Sequence, residues 1–129
     1  MTIIIAAMTA DFLIMGCDSL ISAEGCPATY GGSKIWEQND MLFAYAGDHV
    51  GGQALRLSTL PDLVGSDMVG WAVHKLIPHM RTVLRSLVEE GETLPDVTLL
   101  VGALNHGIGS VSVTQGFLWA DGGFAAEGD

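Results

Sequence analysis

Apolar residues follow two different rhythms along the chain. Thr2–Met8 (TIIIAAM) and Phe12–Cys17 (FLIMGC) are almost unbroken apolar runs, joined through Thr9-Ala10-Asp11, a hairpin-length link. Continuous runs of this kind predict strands covered on both faces. Leu20–Ser22 and Lys34–Glu37 read as shorter strands around the turn-rich Glu24-Gly25-Cys26-Pro27, and Met41–Ala46 (MLFAYA) as a buried strand ended by Gly47. From Asp48 the period becomes helical. His49–Leu60 carries Val50, Ala54, Leu55 and Leu57 and stops before Pro61. Ser66 or Asp67 caps a longer helix to about Glu90, with Met68, Ala72, Leu76, Met80, Val83, Leu84 and Leu87 at helical spacing. Pro78 should kink or split it, and Gly91 closes it. Strands resume at Val97–Ala103, Gly109–Thr114 and Gly116–Ala120. Strands, two helices, then strands predict an α+β or layered αβ fold, with no linker or repeat to divide residues 1–129.

Composition narrows what such a domain can do. The chain is 49% hydrophobic with a mean hydropathy of +0.40, high for a small protein with 16% charged residues. No apolar run approaches the roughly 20 residues of a membrane span, and Thr2–Met8 is too short and lacks the basic flank of a signal peptide. The excess therefore points to self-association or to a sheet face left without cover. A net charge of −10 argues against nucleic acid, since five Lys and Arg cannot neutralise a phosphate backbone. Cys17 and Cys26 lack metal spacing and read as buried thiols of a reducing, cytoplasmic protein. His49, His74, His79 and His106 are scattered, so neither a metal nor a cofactor is expected. The stretch His106–Ser110 is a hairpin turn rather than a phosphate cradle, and Trp36, Trp71 and Trp119 are core or interface anchors.

Two features suggest chemistry. A strand that begins at residue 2 places a threonine directly after the initiator methionine, and a small second residue permits removal of Met1. The exposed Thr2 would carry a hydroxyl nucleophile next to its own α-amine, a base with an ordinary pKa of about 7.7–8.0. The second feature is GGSKIW at 31–36, where Lys34 is one of just two lysines, Lys34 and Lys75.

These features fall into register with a known pattern. TIIIAA from Thr2, MGCDSLIS at 15–22, GGSKIW at 31–36 and FAYAGDHVGGQALRL at 43–57 together resemble the N-terminal nucleophile (Ntn) hydrolases of the proteasome β-subunit type. That group includes the peptidase subunit of bacterial ATP-dependent proteases. Asp18 and Lys34 stand 16 and 32 positions after Thr2, the family's spacing for its aspartate and lysine, and Ala46-Gly47 matches the pair that ends the next strand. The resemblance implies a layered αββα sandwich whose C-terminal helical layer is missing or incomplete, because the match covers about two-thirds of a usual member. The tail Ala125–Asp129 corresponds to the start of a Gly-Ser-rich turn. The resemblance further implies a threonine-type peptidase, with Thr2 as nucleophile and base, Lys34 and Asp18 tuning it, and Gly47 donating its amide to the oxyanion. A ring-forming homo-oligomer, an ATP-dependent unfoldase partner and a polypeptide substrate follow from the same source. A catalytically inactive scaffold or assembly subunit is the alternative.

Overall fold

The computed structural model describes residues 3–18, 20–21, 29–30, 34–65, 67–120 and 124–128. Two antiparallel sheets and a helical layer make up the described fold. The larger sheet has the order β5-β6-β7-β8-β9, from β5 (Ile35–Gln38), β6 (Met41–Gly47), β7 (Val97–Ala103), β8 (Gly107–Ser112) and β9 (Gly116–Trp119). The smaller has the order β10-β1-β2, with β1 (Ile3–Met8) between β2 (Leu13–Cys17) and β10 (Phe124–Gly128). A short ribbon pairs β3 (Leu20–Ile21) with β4 (Thr29–Tyr30).

Strand alternation builds the layers. On β6 and β7 the residues Met41, Phe43, Tyr45, Val97, Leu99, Val101 and Ala103 face the helices, where they enclose Leu55, Met68, Trp71, Leu76, Met80 and Leu84. Their neighbours Ala44, Ala46 and Leu100 face the other way and pack on Ile4 and Ala6 of β1 and on Ile108. Small residues bring the two sheets close, and Gly102 leaves room for the side chains of Leu13 and Met15. Both faces of β6 and β7 are covered, as their apolar runs predict. On β1 and β2 the prediction fails: Ile3, Ile5 and Ile14 are exposed, because the five-stranded sheet covers the other side of these strands.

Two tight turns set the registers that matter for the site. Asn39 and Asp40 both have positive φ (53° and 62°), the two-residue turn whose twist suits a hairpin, and they set Lys34 opposite Tyr45. The Tyr45 N–H accordingly donates to the Lys34 carbonyl at 3.1 Å. At the β1–β2 turn, the Thr9 hydroxyl accepts the amides of Asp11 and Phe12. That register carries Asp18 back to Ile3, whose carbonyl accepts the Asp18 N–H at 3.1 Å.

Helix α1 (His49–Leu57) is shorter than predicted and ends at Ser58, whose hydroxyl donates to the Leu55 carbonyl. Asp67 caps α2 (Met68–Trp71), which continues through a π-helical turn (Ala72–Leu76) into α3 (Ile77–Arg85). The wide turn answers Pro78: it has no N–H, and its ring would strike the carbonyl a turn earlier in a regular helix. Ile77 donates instead to the Ala72 carbonyl, five residues back. Helix α3 stops at Arg85, short of the predicted Glu90. The Ser86 hydroxyl takes the Val83 carbonyl at 2.6 Å, and the chain tightens there.

Three further expectations change. The predicted turn at His106–Ser110 lies earlier, and β8 already begins at Gly107. The tail read as the start of a turn is strand β10, which pairs Ile3 with Gly128 and Ile4 with Glu127. Cys17, expected to be buried, is exposed at the last position of an edge strand. Cys26 lies outside the described residues.

Candidate active site

A lysine ammonium almost removed from water requires a counter-charge. Lys34 is 2% exposed, and its Nζ donates to Asp18 Oδ1 at 2.8 Å. Asp18, about a third exposed, spans two elements, because its other oxygen accepts the Ile3 N–H at 3.3 Å. The lysine hydrogen bond and charge, helped by the Ile3 amide, hold the Asp18 carboxyl below its ordinary pKa against an opposing contribution from burial. The carboxylate therefore keeps its charge to lower pH than an ordinary aspartate does.

The second part of the site is the junction of β6 and α1. Gly47 has φ 101°, and a Cβ there would sit 2.2 Å from the Asp96 carbonyl oxygen, so glycine is obligatory at this position. Asp48 follows as the N-cap of α1. Its N–H donates to the Asp96 carbonyl at 2.8 Å, and its Oδ2 accepts the Gly51 amide at 2.7 Å. Successive amides of a strand alternate in direction. Since Tyr45 donates toward β5 and Asp48 toward β7, the Gly47 N–H is aimed to the β5 side, the side of Lys34.

A small cavity of about 60 Å³ opens where β6, β7 and β10 meet, lined by Ala46, Gly47, Asp96, Thr98, Glu127 and Gly128. Gly128 is the register partner of Ile3, so the cavity lies at the same end of the sheets as Asp18. Of the four sequence-predicted site residues, Asp18 and Lys34 are brought into contact, Gly47 is at the strand–helix junction, and Thr2 lies outside the described residues. Among the described residues no group of three His, Cys, Asp or Glu could hold a metal ion.

Sequence reasoning missed Asp96, Thr98 and Glu127, which reach the cavity through strand pairing far along the chain. It also missed a signal that was legible: Tyr45, His49 and Gln53 are spaced by four. His49 and Gln53 share one face of α1, and both hydrogen-bond the Tyr45 hydroxyl.

No protein-family model matches the sequence, and comparison with curated proteins found no match. Solved structures do match. Eukaryotic HslV from Trypanosoma brucei superposes with a TM-score of 0.60 at 12% identity, over 98% of this chain and 71% of that one. BPH from Thiobacillus denitrificans, in complex with epoxomicin, gives 0.70 at 16% identity, over 100% of this chain and 72% of that one. The helically assembled Anbu complex from Pseudomonas aeruginosa gives 0.70 at 18% identity, over 98% and 61%. The chain thus has the fold of the proteasome-type Ntn hydrolases.

Proposed function

We propose that the chain is a threonine-type peptidase subunit, using Thr2 as nucleophile once Met1 has been removed. One observation carries this reading: the buried Lys34 is bound to Asp18, and Asp18 also holds the amide of Ile3, the residue that follows Thr2. A fixed ammonium at this end of β1 favours the alkoxide-like form of a nearby hydroxyl. In the proposed reaction the Thr2 hydroxyl oxygen attacks the substrate carbonyl carbon, and its proton passes to the Thr2 α-amine. The Gly47 N–H donates to the resulting oxyanion. Collapse breaks the C–N bond, the departing amine takes the proton, and water then hydrolyses the ester left on Thr2.

We further propose a polypeptide substrate, a cytoplasmic location and work within a ring-forming homo-oligomer served by an ATP-dependent unfoldase. The Pseudomonas Anbu neighbour forms a helical assembly, which supports self-association here.

The intact mass of the chain from a bacterial cytosol, followed by casein and peptide-amide turnover, tests the proposal. The expected mass is short by one methionine, and Thr2→Ala should lower turnover at least about 10³-fold, the scale of losing a covalent nucleophile. Retained Met1 with no turnover would point to the scaffold subunit instead, and turnover indifferent to Thr2→Ala would refute Thr2 as the nucleophile.

A further inference from the structure

The Tyr45 hydroxyl lies beneath helix α1 on a side chain 1% exposed. Gln53 Nε2 donates to it at 2.8 Å, and it lies 2.7 Å from His49 Nδ1. A phenol has one proton to give. Its oxygen accepts from Gln53, and the 2.7 Å contact with His49 Nδ1 is a hydrogen bond in either imidazole tautomer, the phenol donating to a bare Nδ1 or accepting from a protonated one. The Tyr45 ring is fixed from other directions as well. Gly52 packs flat against it, where a Cβ would come within 2.1 Å, and Trp36 tilts against it at 6.4 Å between centroids.

The two ends of this bridge straddle the turn that contains Gly47. Tyr45 is the last buried aromatic of β6, and His49 is the first residue of α1. Gly47 has φ 101°, a conformation at which a glycine backbone rotates with little resistance of its own. On one side the turn is held through Asp48 and the Asp96 carbonyl. On the other it is held by the Tyr45–His49 hydrogen bond, steadied by Gln53 one helical turn on.

We propose that Tyr45, His49 and Gln53 form a clip that sets the direction of the Gly47 amide, making His49 a positioning residue for the oxyanion site. The inference rests on the reading of Gly47 as oxyanion donor. A hydrogen-bond donor stabilises a transition state when it is already aimed at the developing charge, and small misplacements reduce that effect steeply. The clip does not touch substrate, so loosening it alters kcat rather than KM.

The test compares His49→Leu, which cannot hydrogen-bond the phenol, with His49→Asn, whose side-chain amide can take the place of Nδ1 as acceptor or donor. Hydrogen exchange at the amides of residues 46–50 is read beside peptide-amide kinetics on the full chain. We expect His49→Leu to raise exchange in this segment and to lower kcat about tenfold, with KM within twofold. His49→Asn should restore most of both, and Tyr45→Phe should cost less when added to His49→Leu than in the wild-type chain. Exchange at 46–50 indifferent to His49→Leu, or a His49→Asn variant as impaired as His49→Leu, would overturn the clip. Turnover that survives Thr2→Ala overturns the peptidase reading instead, so the two failures are distinguishable.

Discussion

Asp18 and Lys34 form a lopsided pair: the lysine is almost wholly enclosed, whereas the carboxylate is about a third open to solvent. Their removal should therefore be lopsided too. Asp18→Ala leaves an ammonium inside the protein without this counter-charge and should cost on the order of 2–3 kcal/mol of stability. Lys34→Met leaves a carboxylate that water can reach and should cost less, while removing turnover. Denaturant unfolding of both variants checks the order. The pair also gives the protein an acid limit. The folded pKa of Asp18 is lowered, so its contribution is fully present above the ordinary carboxylate range and is lost as pH falls through the lower folded value. Asp18→Asn should flatten the acid limb of the stability profile. Gly47→Ala combines positive φ with a 2.2 Å contact to the Asp96 oxygen and should cost at least about 2 kcal/mol, read as a fall in Tm.

At the scale of elements, two ends of the helical layer are tied by Ser58 and His79, whose Oγ and Nε2 lie 3.0 Å apart. Burial pushes the His79 pKa down. Its neutral form is favoured by folding, so this contribution is present above the ordinary histidine range of about 6.5 and is lost as pH falls through the lower folded value. Stability measured from pH 7 to pH 5 should decline, and His79→Gln should lessen that decline. The helices also show what the chain made legible. Period and caps located α1 and the path from Asp67 through Pro78, because each rests on local spacing. The end of α3 was not legible, since Ser86 competes locally for a carbonyl while Leu87 keeps the helical pattern going. For the site, Asp18, Lys34 and Gly47 were singled out through the resemblance and their spacing from Thr2, and the two tight turns give the physical reason that Asp18 and Lys34 meet. Glu127 and Asp96 were not, because β10 returns to β1 from the far end of the chain and Asp96 is brought to Gly47 by the β6–β7 pairing across the whole helical segment.

For the whole molecule, the hydropathy excess has a visible location. The helical layer closes one side of the five-stranded sheet and the three-stranded sheet closes the other. The outward side of β1 and β2 carries Ile3 and Ile5 at 51% and 45% exposure and Ile14 at 57%, with Phe12 beside them at 51%. These side chains are contiguous: Ile5 lies opposite Gly16, whose missing side chain leaves room for it, and Ile14 lies opposite Ala7. A contiguous apolar patch on a chain of net charge −10 concentrates the tendency to associate on one face, while the acidic remainder opposes it elsewhere. Ile5→Lys combined with Ile14→Lys should cut binding of a hydrophobic fluorescent dye severalfold and lower light scattering at high protein concentration. Both positions are exposed, so the effect on unfolding free energy should stay within about 1 kcal/mol. Dye binding unchanged in the double variant would mean that the association-prone surface lies elsewhere, with Leu118 and Trp119 of the edge strand β9 as the next exposed apolar pair to substitute.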